Sequence, residues 1–193
     1  MNPGARLPVI TEDTAEGETA QIYDVIRARF GIGMVPEVFQ LVGTRPEYLQ
    51  VLWQAYQSVF DAGVLPREVK ELVAAFVANE AGSQYCASAH SMLAQMTGAS
   101  PQIVAATQVR SVAEMPVDDK HRALMLFVSQ IGHAANRISN DDLGRLRDCG
   151  WSDAELIEAV WTACIFNAVV RLADTFGLSF VGQFSSGARG ERE

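Results

Sequence analysis

Apolar residues in this chain recur at spacings of three and four, and period-two alternation bounded by turn residues is hard to find anywhere. A period near 3.6 residues lines side chains along one face of a helix, whereas a half-buried strand needs a period of two. Ile22, Val25, Ile26 and Phe30 make one such stripe, and Leu49, Leu52, Trp53, Tyr56, Val59 and Phe60 make another. The spacing predicts an all-α, compact multi-helix bundle of roughly eight helices. Helix starts are read where Ser, Asn or Asp can cap open backbone N–H groups, or where Pro occupies a first turn that needs no donor. Pro66, Ser100–Pro101 and the Pro116–Asp119 stretch are such starts, as are Ser139 and Ser152, each followed three residues on by an acid, Asp142 and Glu155.

A single all-helical domain over residues 1–193 is predicted. Residues 1–13 and 183–193 are read as loose, 14–61 as a helical extension and 62–182 as the core. The formal charge is −8, and the Lys and Arg residues are scattered instead of gathered into a basic stripe, which argues against nucleic acid as a partner. No uninterrupted apolar run approaches the roughly 18 residues needed to cross a bilayer. No apolar signal core follows Arg6. The expectation is therefore a cytoplasmic protein with no membrane partner. Three cysteines, Cys86, Cys149 and Cys164, are too few and too odd in number for a disulfide framework, so each is read as a reduced thiol.

The stretch from Glu71 to His90, ELVAAFVANEAGSQYCASAH, gathers an acid, a thiol and an imidazole around a helix boundary. Gly82 is placed to end one helix and Ser83 to begin the next. Ser83, Cys86 and His90 are then spaced i, i+3 and i+7 and emerge on one face, with His90 in reach of the Cys86 sulfur. A thiol is nucleophilic only as thiolate, and both a neighbouring imidazole and a place in the first helical turn favour that form. Glu71 shares its helix face with Ala74, Ala75 and Ala78, small residues that allow close approach, and can orient or protonate His90. The plain alternative is a small buried hydrophobe at Cys86 and a solvated acid at Glu71, since a Cys and a His four apart also arise by chance.

These residues resemble the C-x-x-C-x-x-x-H segment of the alkylhydroperoxidase D-like / carboxymuconolactone decarboxylase family, with Glu71, Cys86 and His90 on the family's acid, second cysteine and histidine. The stretch from Gly150 to Leu178 is similar to the carboxy-terminal helix of peroxidase-related members, including Phe166, Asn167, Arg171, Ala173 and Asp174. The resemblance implies an all-helical fold, a homo-oligomer, no cofactor and no metal. It also implies thiol chemistry on a small-molecule hydroperoxide, in which Glu71 tunes His90 and His90 deprotonates Cys86. The family's first cysteine is Ser83 here, and a hydroxyl cannot close a resolving disulfide, so a one-cysteine cycle needs an external thiol reductant, or Cys149 or Cys164 brought close by the fold, to reduce the sulfenate. Ser83 can instead donate a hydrogen bond to the Cys86 sulfur or to a substrate oxygen.

Two other readings stay open. In one, His90 and Glu71 act as general acid and base on a small organic acid, in the manner of a lactone decarboxylase; in the other, Cys86 is a thiol sensor in an assembly protein without turnover. A Zn²⁺ site on Cys86, His90 and Glu71 lacks a second thiolate and is the weaker idea. Cys164, among Trp161, Ile165 and Phe166, reads as a core residue, as do Met92, Met96 and Met125, while Cys149 lies near a helix end. His121 and His133 read as surface or satisfied residues, and Asn167, Arg171 and Asp174 as a structural hydrogen-bonded seam. If loss of the first cysteine is what interrupts the local redox cycle, Ser83→Cys creates a disulfide with Cys86, seen by mass as the loss of two hydrogens on oxidation and reversed by a dithiol.

Overall fold

The computed structural model describes residues 5–31, 33–61, 63–108, 112 and 117–179. Nine α-helices and one 3-10 turn are found among the described residues, and no strand, in agreement with the all-α expectation. They are α1 (Gly17–Phe30), α2 (Glu37–Leu41), α3 (Pro46–Phe60), α4 (Arg67–Ala81), α5 (Gln84–Met96), α6 (Pro101–Ala106), α7 (Asp119–Ala134), α8 (Asn140–Asp148) and α9 (Asp153–Thr175), with the 3-10 turn at Ala135–Arg137. The helix beyond the expected eight is α2, whose five residues are too few to show a hydrophobic period. The expectation for residues 183–193 lies outside the described residues.

The chain divides into two compact units, residues 1–58 with 173–193, and residues 59–172. The first is built on Tyr23, Ile26, Phe39, Leu49 and Trp53 from α1 to α3. Its aromatic rings pack directly: Trp53 stacks on Tyr56 at 5.5 Å, and Phe39 meets Trp53 edge-on at 5.8 Å. The Tyr23 hydroxyl donates to the Ile10 carbonyl at 2.9 Å, and burial, helped by the nearby Glu12 charge, pushes that phenol well above its ordinary range. Arg6 closes the carboxy-terminal end of α9, donating from its guanidinium to the Thr175 carbonyl at 2.8 Å.

The second unit is organised by α4. All ten residues from Val69 to Ala78 are buried, so this helix has no solvent stripe and serves as core on every side. It begins after Pro66 and ends at Gly82, whose φ of 77° is the left-handed geometry of a Schellman stop. The Gly82 N–H donates to the Asn79 carbonyl at 3.1 Å and the Ser83 N–H to the Ala78 carbonyl at 2.8 Å, which turns the chain straight into α5. Further on, Asp118 caps α7, and both Ser139–Asp142 and Ser152–Glu155 form reciprocal boxes at the starts of α8 and α9.

Helix α9 corrects one expectation. Although its apolar residues form no unbroken run, its 23 residues are long and apolar enough on average to cross a bilayer by length and composition. Ala159, Ala163, Phe166 and Val170 are buried, but Cys164 and Trp161 are on the opposite, exposed side, so Cys164 is not a core residue. An apolar neighbourhood in sequence spans the whole helix circumference and does not by itself say which side is inside. Met96 is likewise exposed at the end of α5, whereas Met125 is buried as expected.

Lys70 is buried, and its ammonium lies 2.8 Å from Glu158 Oε2 of α9. The same carboxylate accepts from the Val64 N–H at 2.7 Å and the Leu65 N–H at 3.0 Å, which ties the loop before α4 to α9. Burial alone would raise the Glu158 carboxyl, but the Lys70 and backbone hydrogen bonds outweigh it and hold it below its ordinary value of 4.5. A depressed carboxyl stabilises the fold above its unfolded value and ceases to do so as pH falls through its folded value. Glu158→Gln is therefore expected to cost about 3 kcal/mol near neutrality by leaving the Lys70 charge buried without its partner. In urea unfolding, the variant should also lose less stability than the parent as pH is lowered from about 5.

Candidate active site

The hairpin of α4 and α5 carries the acid, the thiol and the imidazole, and the structure brings the first and last of these into direct contact. Glu71 is fully buried and its Oε2 lies 2.6 Å from His90 Nδ1. Its other oxygen, Oε1, accepts from Arg67 Nε at 2.8 Å and from a terminal Arg67 nitrogen at 2.5 Å. Arg67 and Glu71 are one turn apart on α4, the spacing that lets a guanidinium fork reach a carboxylate. The carboxylate is thus a bridge with a cation on one side and an imidazole on the other.

Aromatic rings fix the imidazole further. Phe60, at the end of α3, lies parallel to His90 with centroids 6.0 Å apart, and Phe166 of α9 meets the His90 ring edge-on at 4.4 Å. The Arg67 guanidinium sits 4.1 Å over the Phe60 ring and donates to the Phe60 carbonyl at 3.3 Å. Held this way, with Nδ1 on the Glu71 carboxylate, a neutral His90 keeps its proton on Nδ1 and its lone pair on Nε2. Nε2 is then the atom able to accept a proton.

Cys86 is the third residue of α5 and His90 follows one turn later, so both project from one face, as their spacing predicts. Ser83 is the residue before the helix, and its side chain makes no capping bond to the helix N–H groups. Both are almost wholly buried, Ser83 at 1% exposure and Cys86 at 2%. No cysteine is disulfide-bonded. Among the described residues no group of three His, Cys, Asp or Glu is poised around a metal, and both Glu71 oxygens are engaged by Arg67 and His90.

Arg67, Phe60 and Phe166 were not singled out from sequence as parts of this site. Arg67 had a signal, an arginine four residues before the acid, while Phe60 depends on tertiary packing that no local pattern shows. Phe166 belonged to the peroxidase-like motif but carried no assigned role. Of the polar line on α9, Asn167 and Arg171 are bonded to one another, the guanidinium donating to Asn167 Oδ1 at 3.0 Å, on the exposed side of the helix. His121 lies 2.7 Å from Asp118 at the start of α7.

Residues 46–118 match the carboxymuconolactone decarboxylase family. No curated protein matches the sequence. In overall structure the chain is similar to the alkylhydroperoxidase AhpD core of a peroxidase-related protein from Ralstonia eutropha JMP134, with a TM-score of 0.82 and 19% identity over 93% of both chains. It is also similar to a peroxidase-related protein from Silicibacter sp. TM1040, with a TM-score of 0.78 and 21% identity over 90% of each. A cysteine-to-alanine variant of the debrominase Bmp8, in complex with 2,3,4-tribromopyrrole, aligns with a TM-score of 0.71 and 18% identity, over 89% of this chain and 91% of that one. The fold is therefore of the alkylhydroperoxidase D-like type, and Glu71, Ser83, Cys86 and His90 all lie within the residues that match the carboxymuconolactone decarboxylase family.

Replacing Glu71 by Gln keeps the shape of the bridge and removes its charge from between Arg67 and His90. The expected cost is about 3–5 kcal/mol in chemical unfolding. The nitrogen resonances of the His90 ring should show that the proton is no longer held on Nδ1.

Proposed function

We propose that this chain is a peroxidase-related oxidoreductase that reduces a small hydroperoxide through Cys86, with His90 as base and Glu71 as the acid that positions it. The observation that carries this reading is the 2.6 Å contact between Glu71 and His90 Nδ1, which leaves Nε2 as the ring nitrogen that can take a proton, on the helix that bears Cys86. Two features support a thiolate at Cys86: the imidazole one turn away and its place in the first turn of α5, where the helix dipole favours negative charge.

The chemistry balances with one cysteine. His90 Nε2 takes the Cys86 proton, and the thiolate sulfur attacks the nearer peroxide oxygen. The O–O bond breaks, its electron pair leaves with the alkoxide or hydroxide, and His90 returns the proton to give alcohol or water. Cys86 is left as a sulfenic acid. One external thiol displaces water to form a mixed disulfide and a second releases the Cys86 thiolate, so that two thiols are oxidised for each hydroperoxide reduced. Ser83 has no part in the electron transfer; its buried hydroxyl keeps the surroundings of Cys86 polar.

The absence of a cysteine at position 83 also favours a second reading, acid–base catalysis by His90 and Glu71 on a small organic acid, in which Cys86 is dispensable. Dimedone trapping under limiting hydroperoxide separates the two. Under the peroxidase reading Cys86 is labelled faster than an ordinary thiol, Cys86→Ser consumes no hydroperoxide, and His90→Ala is slower by about 10²–10⁴-fold. An unlabelled Cys86, or turnover of a lactone or keto acid that survives Cys86→Ser but not His90→Ala, overturns it in favour of the second.

The homo-oligomer, the cytoplasmic location and the external thiol belong to this proposal as well. Sedimentation of the full chain and turnover with a monothiol or dithiol reductant check the first and the last.

A further inference from the structure

Away from the Glu71–His90 site, α4, α7 and α9 leave a crevice of about 80 Å³ whose walls carry opposite charges that do not pair with each other. On one wall Glu80 Oε1 accepts the Ser129 hydroxyl at 2.6 Å, and His133 Nε2 stands 3.9 Å away. Among the described residues, Glu80 Oε2 takes no hydrogen bond. On the other wall Arg171 is fixed through one terminal nitrogen, which donates to the Asn167 carbonyl and to Asn167 Oδ1. Its remaining N–H groups meet no acid among the described residues, in a chain that has 23 Asp and Glu against 15 Lys and Arg. Val77, Ala81 and Val128 add apolar lining to the same crevice. Gly132, Asn167 and Arg171 also border a shallow depression, wide open to solvent, lined by Ile131, Cys164 and Ala168.

A ligand with one charge would pair with one wall and leave the charge on the other facing water, since Glu80 and Arg171 are both exposed. A ligand with both charged groups on one carbon would pair with the two together. At roughly 10–15 Å³ for each water-sized group, the crevice has room for about the five heavy atoms of an amino-acid head group, with its side chain lying over the adjoining open depression. We propose that the crevice between α4, α7 and α9 binds a small zwitterion of the α-amino acid class, its ammonium on Glu80 and its carboxylate on Arg171. The site is independent of the chemistry proposed for Cys86.

The test uses the full-length chain and the imidazole resonances of its three histidines, with L-leucine, L-phenylalanine and glycine as probes. At least one probe should shift the His133 signal saturably and leave those of His90 and His121 in place. Acetate and propylamine, each carrying one of the two charges, should bind about tenfold more weakly or worse, and so should the best probe to Glu80→Gln and Arg171→Gln. The wild-type measurement stands if either variant fails to fold. Absence of a saturable His133 shift with all three probes overturns the proposal. Equal binding of acetate, or probe affinity unchanged in both folded variants, also overturns it. A change of sedimenting mass in Arg171→Gln assigns the crevice to contact with a second copy and does the same.

Discussion

A fully buried carboxylate is the constraint on which the second unit depends. Glu71 lies on a helix with no solvent face, where an unpaired charge would be too costly to keep, and it is retained because it has a partner on each oxygen. Those partners impose conditions of their own. Arg67 must be one turn earlier on α4, Phe60 must end α3 beneath the guanidinium, and α5 must return antiparallel to α4 to deliver His90. The alanines at 74, 75 and 78, all fully buried, keep α4 thin enough for neighbouring helices to pack on it closely. Read from the charge outward, the small residues, the Gly82 stop and the aromatic pair all follow from one buried acid.

Lys70 immediately precedes Glu71 on α4 and is buried too, yet it faces Glu158 of α9 and not Glu71. Adjacent residues on a helix point about 100° apart, so two buried charges of opposite sign can sit side by side in sequence and belong to different ion pairs. One pair serves the candidate chemistry; the other fastens the loop before α4.

Much of this was legible because the helices are long and strongly periodic. The spacing placed α1 at Gly17–Phe30 and α3 at Pro46–Phe60, and the Gly82–Ser83 boundary emerged from backbone chemistry alone. The meeting of Glu71 with His90 was legible for the same reason, since a short helical hairpin leaves little freedom in which faces meet. What was not legible depends on tertiary packing. Five residues cannot display a 3.6-residue period, which hid α2, and the orientation of α9 about its own axis could not be read from a helix apolar nearly all round. Cys164 was accordingly placed inside when it is outside. The aromatic walls of the His90 pocket come from α3 and α9, far from the motif in sequence, and nothing in the motif names them.

The turn between α4 and α5 consists of Gly82 and Ser83, so the acid, the thiol and the imidazole are confined to twenty consecutive residues. Closing so short a loop costs little chain entropy compared with joining distant segments. During folding, therefore, Glu71 and His90 can find each other through local contacts before α9 has docked, and local contacts form early. The buried charge is then paired from the outset, and the helices that arrive later enclose a bond already made.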